Sequence, residues 1–337
     1  KTPAAAITAS KLTDLIDVSG IEHLSDFIDE ALSHNPGLQQ TLITLRQAQV
    51  AIKSAESQDN LNIDASLSGA KGEQSDTSFT GSLSVSWELD LWQKIADGVT
   101  AANLDAASAR ASYQSARDSL AASVIRSYIE VITQQNLLAI ERQRLQVLEN
   151  QEAIILTRYR TGLGDLDDLD TARTSSASTR ATIAQYEYAL AASKRTLAVL
   201  LGRQEQSLPE LHSNVSYPDV LVPLTSVPDQ DLARRPDLQA AYFTIKASEH
   251  NVDVAYKALL PSINLSAALT DTASSASDAL FSNPLWSLLG QITAPLFQGG
   301  ELRAQVDTAE LNALTAWWQY KETLLNAVQE TQDAIDN

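Results

Sequence analysis

Asp165, Asp167, Asp168 and Asp170 stand within six residues, and the chemistry open to such a group is cation binding. A calcium loop starting at Asp165 would need glycine at its sixth position and glutamate at its twelfth. Those positions hold Asp170 and Ser176, which excludes the loop. Carboxylates are also favoured at a helix N-terminus, by about 0.3–1 kcal/mol each, and that accounts for at least two of the four. The four histidines, His23, His34, His212 and His250, are scattered, with no pair at metal-ligand spacing. There is no cysteine, hence no disulfide, thiolate ligand or cysteine nucleophile. No G-x-S-x-G, phosphate loop or His-rich cluster occurs, and paired carboxylates occur only in the helix-start setting. The expectation is a protein without catalytic residues, cofactor or metal.

The elements around these residues are more informative. With 42 acidic and 24 basic residues the net charge is -18, the wrong sign for a protein that neutralises phosphates, so nucleic acid is set aside. No apolar run of about 18 or more residues exists to form a transmembrane helix. A β-barrel strand, with its weaker signal, is not excluded by that. Lacking methionine and a leader at Lys1, the chain reads as a mature or trimmed product.

Prolines fall at 3, 36, 209, 218, 223, 228, 236, 261, 284 and 295, and none lies between Pro36 and Pro209. Residues 99–161 and 165–201 also lack glycine and are rich in good helix formers. They predict two helices, roughly 95 Å and 55 Å long at 1.5 Å per residue, joined by a turn at Thr161–Gly164. Val124, Val131, Leu138 and Leu145 make a heptad stripe on the first, and Ile183, Leu190 and Leu197 one on the second. Ile125, Ile129, Ile132 and Ile140 form a thinner second stripe, as expected of a helix touched on two sides. A plain helical hairpin fits the periodicity equally well.

Two segments change period. Leu61–Leu67 and Ser78–Trp87 alternate strictly, with Phe79, Leu83 and Val85 on one face and Ser78, Thr80, Ser82, Ser84 and Ser86 on the other. They predict a hairpin connected by Lys71–Thr77. A soluble sheet with a wet serine face and a membrane sheet with its apolar face on lipid both remain open here.

The chain then repeats. Pro36, Leu38, Gln39, Ala55, Ile63 and Ser66 match Pro236, Leu238, Gln239, Ala255, Ile263 and Ser266. The second copy gives a helix Pro236–Lys257, a strand Pro261–Leu269, a polar loop Thr270–Asn283, a strand Leu285–Thr293 and a helix from Glu301. Its return helix has no counterpart in the sequence. Duplication means one architectural unit used twice. The short helix 37–58 and the return helix together nearly equal the long helix, which suits stacking end to end along a tube wall.

Arg234-Arg235-Pro236-Asp237-Leu238, Leu260-Pro261-Ser262-Ile263-Asn264-Leu265 and Pro295-Leu296-Phe297-Gln298-Gly299-Gly300 resemble signature stretches of the TolC-like outer-membrane efflux family. So do Trp87-Glu88-Leu89-Asp90-Leu91-Trp92 and Tyr159-Arg160-Thr161-Gly162-Leu163. The likeness runs in order over nearly the whole chain and most resembles the branch serving drug-efflux pumps. Members of that branch are often lipoproteins acylated on an N-terminal cysteine, which this chain does not display.

The resemblance implies a mainly α TolC-like fold with membrane β-hairpins. A homotrimer would form a long α-helical barrel and a 12-stranded β-barrel. It implies a passive exit duct in the bacterial outer membrane, reaching into the periplasm and working with a periplasmic adaptor and an inner-membrane transporter. The domain reading is an N-terminal segment 1–35, a first repeat 36–202, an equatorial linker 203–235 and a second repeat 236–337. Within the repeats it places hairpins at 60–90 and 262–294, helices at 94–161 and 165–201, and a helix start at 300–337. Lipid would meet Ile63, Leu67, Phe79, Leu83, Val85, Ile263 and Leu265. Tyr159, Arg160, Thr161, Gly162 and Leu163 would face the adaptor at the periplasmic tip, although Gly162 also reads simply as a helix-ending glycine. Asp167 and Asp168 would take part in closing the periplasmic gate. The excess of acid predicts a cation-preferring lumen. The rival reading is a periplasmic coiled-coil structural or adaptor protein, which suits the long helices but not two spaced hairpins.

Overall fold

The computed structural model describes residues 23–72, 75–204, 233–280 and 282–336. Most of the expected N-terminal segment and equatorial linker (1–22 and 205–232) lie outside the described residues. The described elements are α1 (Leu24–His34), α2 (Pro36–Glu56), β1 (Asn62–Gly72), β2 (Ser75–Glu88), α3 (Lys94–Arg160), α4 (Leu166–Leu200), α5 (Pro236–Lys257), β3 (Ser262–Ala273), β4 (Leu285–Thr293) and α6 (Glu301–Asp336). The unbroken segments become the two longest helices of the first repeat, α3 with 67 residues and α4 with 35.

Two units can be described separately, one made of residues 1–41 and 115–225 and one of 42–114 and 226–337. The first holds a core of Val124, Val131 and Ile132 from α3, Leu197 and Leu201 from the end of α4, and Leu24, Phe27 and Ala31 from α1. The sequence reading did not foresee α1. Its signal is the spacing of Leu24, Phe27 and Ala31, one face of a helix. Asn35 ties the corner after α1 to the end of α4, its Nδ2 donating to the Leu200 carbonyl at 2.9 Å. Further along, Arg142–Glu187 at 2.7 Å and Arg180–Glu149 at 2.8 Å join α3 to α4. These pairs are exposed and worth at most about 1 kcal/mol each, so they set register more than stability.

The first heptad stripe packs as the spacing required, with Val124, Val131 and Leu138 buried. The second divides. Ile125 and Ile132 are buried, but Ile140 is 58% exposed and begins a new heptad series with Val147 and Ile154, 65% and 62% exposed.

The second unit holds the sheet and the helices leading into it. Its four antiparallel strands follow chain order, β1-β2-β3-β4, which leaves β1 and β4 as edges. The strands outrun the predicted ones. Lys71 and Gly72 belong to β1 and Ser75–Thr77 to β2, so only residues 73–74 separate them. β3 continues to Ala273, through residues expected in a loop, because Thr270, Asp271 and Thr272 find ladder partners in Ser82, Gly81 and Thr80. Polar side chains do not end a strand whose neighbour continues.

Candidate functional site

The sheet's register sorts its side chains into two faces. Ile63 pairs with Val85, Ala65 with Leu83 and Leu67 with Gly81. Across β2, Leu83 pairs with Leu269, Val85 with Ala267 and Trp87 with Leu265. Side chains alternate along each strand, so Ile63, Leu67, Phe79, Leu83, Val85, Ile263 and Leu265 share one face. The opposite face carries Ser66, Ser82 and Thr270 in one row and Ser68, Thr80 and Thr272 in another. Neighbouring hydroxyls are linked, Ser66 to Ser82 at 2.8 Å and Thr80 to Thr272 at 3.2 Å. β4 departs from the pattern, because Leu285 and Leu289 lie on the hydroxyl face opposite Thr270 and Ser266. The apolar face of β4 carries Trp286, Leu288 and Ile292, all largely exposed. At one end of the apolar face the β3–β4 connection folds back onto β2. The Ala279 carbonyl lies against Gly81 and leaves no room for a β-carbon. Asp271, buried there, accepts the Asn283 N–H at 2.8 Å.

At the other end, indole N–H groups fasten the strand–helix junctions. Trp87 donates to the Asp59 carbonyl at 3.0 Å and Trp92 to the Pro261 carbonyl at 2.6 Å. Glu88 pairs with Lys94 at 2.6 Å, and Asp90 accepts the Ala96 N–H at 2.8 Å, capping α3. The Trp87–Trp92 stretch is therefore a set of junction ties. A cavity of about 610 Å³ opens between the junctions, with Leu296 and Phe297 exposed at its rim.

The Arg235 stretch has an equally local explanation. Its guanidinium holds Asp237 through two hydrogen bonds, at 3.1 and 2.7 Å, and Glu330 of α6 at 2.6 Å. Burial alone would push the Asp237 carboxyl up. The bonds from Arg235 and from the Leu238 N–H more than offset this and hold it below the usual carboxylate range. The same Asp237 bond pushes the Arg235 guanidinium further up.

In the first unit, the α3–α4 turn displays Tyr159, Arg160, Thr161, Gly162 and Leu163 on the surface. Gly162 has φ 75° and donates to the Tyr159 carbonyl at 3.0 Å, while the Leu163 N–H donates to Arg158 at 2.9 Å. Paired bonds of this kind end a helix in a Schellman motif, whose following apolar residue usually folds back on the helix. Leu163 occupies that place yet is 73% exposed, so its apolar surface is uncommitted. Asp165 is the N-cap of α4, accepting weakly from the Asp167 N–H at 3.4 Å. Asp167 and Asp168 are exposed in the first turn and have no ion-pair partner among the described residues. Asp168 borders a cleft of about 170 Å³ with Gln151, Ile155 and Ser175. The structure thus places tip and aspartates on one turn of the first unit, and the sheet residues on one face of the sheet in the second.

Comparison with known proteins agrees on one family. A family model described as outer membrane efflux protein matches residues 27–203 and 227–337. Nodulation protein T of Rhizobium leguminosarum bv. trifolii is 29% identical over 332 residues, covering 93% of this chain and 69% of that protein. The pyoverdine export outer membrane protein OpmQ of Pseudomonas putida is 28% identical over 272 residues, covering 80% of this chain and 57% of that protein. The crystal structure of the outer membrane protein VceC from Vibrio cholerae superposes with a TM-score of 0.79 at 26% identity, covering 93% of this chain and 78% of that one. The chain thus spans between 57% and 69% of the length of the two curated relatives.

Proposed function

Because this chain belongs to the outer membrane efflux protein family, we propose that it forms the exit duct of a tripartite efflux system, passing small molecules outward across the outer membrane. The observation that carries this reading is the sheet. One face is apolar, the other is lined with hydroxyls, and both edges are unpaired among the described residues. In lipid an unpaired edge costs several kcal/mol per backbone group, so such a sheet must close. Three copies, edge to edge, give a 12-stranded barrel with lipid outside and water inside. The uncommitted Ile140, Val147 and Ile154 series, and the half-exposed Trp317 and Trp318, are suited to be covered when copies assemble. The soluble coiled-coil alternative offers no use for the hydroxyl-lined sheet.

A periplasmic adaptor would dock at the tip, where Leu163 offers apolar surface and Gly162 fixes the turn. An inner-membrane transporter would stand beyond it and choose the substrate. The test is fractionation followed by conductance in planar bilayers. The expected result is a detergent-extracted trimer from the outer membrane with a cation-selective pore, and release of a monomer by salt washing would overturn the reading.

Asp167 and Asp168 would hold the periplasmic end closed by bonding to helices of a neighbouring copy, since neither has an ion partner within its own chain among the described residues. The double substitution Asp167→Ala, Asp168→Ala is expected to raise single-channel conductance several-fold and to sensitise cells to large antibiotics. Conductance equal to that of the unaltered protein would remove both residues from the gate.

A further inference from the structure

The second unit carries a group of side chains that neither sheet nor tip employs. Asp97 lies in the first turn of α3, its side chain 16% exposed. Facing it, α5 presents His250, Asp253 and Lys257 at i, i+3 and i+7, hence on one side of the helix. His250 Nδ1 is 3.3 Å from one Asp97 carboxylate oxygen, and the Lys257 ammonium is hydrogen-bonded to the other. One donor atom each from Asp97, His250 and Asp253 lie within 4.8 Å of one another.

We propose that Asp97, His250 and Asp253 form a site for a borderline divalent transition metal, of the Zn²⁺ or Cu²⁺ class, which pins a helix of the first repeat to a helix of the second. One imidazole with two carboxylates suits these ions. Calcium and magnesium prefer more oxygen ligands and no imidazole. Metal–ligand bonds of about 2.0–2.2 Å put adjacent donors roughly 3–3.5 Å apart. Asp97 and His250 already have that separation, and the exposed Asp253 reaches it by side-chain rotation. The two α5 ligands come from adjacent turns of one rigid helix, so only one inter-helix distance needs to be maintained. Lys257 is the built-in competitor. Its ammonium holds Asp97, and a metal must displace or share that contact. The repeat also shows that the architecture does not require this set. The repeat-related positions of His250 and Asp253 hold Val50 and Lys53, and that of Asp97, by the match of Trp92 to Phe297, holds Leu302.

The test uses the full chain purified in detergent with an affinity tag free of histidine, stripped with chelator and titrated with Co²⁺ by visible absorption and with Zn²⁺ by calorimetry. One ion per chain is expected. His250→Ala and Asp253→Asn should each weaken binding by about tenfold or more, the scale of lost ligand support. Lys257→Gln should tighten it several-fold by releasing Asp97. Asp253 is exposed, so its variant reads the ligand set and not the fold. Absence of binding to the unaltered protein would overturn the proposal. So would affinity unchanged in both ligand variants, which would assign the ion to His23, His34 or His212, and so would weaker binding in Lys257→Gln.

Discussion

Replacing Leu83 with arginine is expected to remove the protein from the outer membrane, while arginine one residue further along, at Ser84, leaves it there. Leu83 lies mid-strand in β2, paired with Ala65 on one side and Leu269 on the other, in the interior of the sheet. On the lipid face of a barrel, an arginine near the midplane costs about 2–4 kcal/mol. Three copies multiply this to roughly 6–12 kcal/mol, comparable to the about 5–15 kcal/mol that holds a typical folded domain together. Ser84 points the other way, opposite Asp64 and Ala268, where an arginine meets water and a carboxylate. Its expected effect is reduced cation selectivity with trimer yield unchanged. The measurement is the heat-sensitive trimer band from isolated outer membranes, compared between Leu83→Arg and Ser84→Arg. Equal yields, or loss confined to Ser84→Arg, would reverse the assignment of the two faces.

Much of that contrast was legible in the sequence, because the strand period of two is written into Ser78–Trp87 residue by residue. The long helices were legible for a similar reason: a stretch without proline or glycine leaves few alternatives. What stayed hidden depended on partners distant in sequence. The extension of β3 through Thr270–Thr272 follows from a ladder with β2 across almost 200 residues, which local polarity cannot reveal. α1 was missed because a short helix needs a core to make it stable, and that core comes from Val124, Val131 and Leu197. His250 and Asp253 do share a helix face, visible in their spacing. Their grouping with Asp97 appears only once α3 and α5 are packed. The family motifs, conversely, mark the family in the sequence without showing what each residue does, and the structure gives several of them local jobs. Trp87 and Trp92 tie junctions, Arg235 clamps Asp237 and Glu330, and Gly162 ends a helix.

Two glycines with the same backbone conformation should respond very differently to alanine. Gly162 and Gly202 have φ of 75° and 74°, and each follows a helix closed by the same pair of backbone bonds. For Gly202 these are its own N–H to Val199 and the Arg203 N–H to Ala198, both at 3.0 Å. Placing an L-residue in the left-handed region costs about 1–2 kcal/mol at either position. At Gly162 a β-carbon meets nothing within 4 Å, so that cost is the whole effect. At Gly202 it would lie 2.6 Å from the His34 carbonyl oxygen, a backbone atom with no rotamer to adopt. Relief requires moving the corner between α1 and α2, where Asn35 donates to Leu200 and accepts the Leu38 N–H at 3.0 Å. The helix leading into that corner, α1, shares its core with Leu197 and Leu201, both fully buried. Overpacking of this kind adds about 1–3 kcal/mol. Gly202→Ala is therefore expected to lower the thermal midpoint of the helical circular-dichroism signal two to three times as far as Gly162→Ala. Equal shifts would mean that the corner yields freely, and that the end of α4 is not the fixed point around which the first unit is packed.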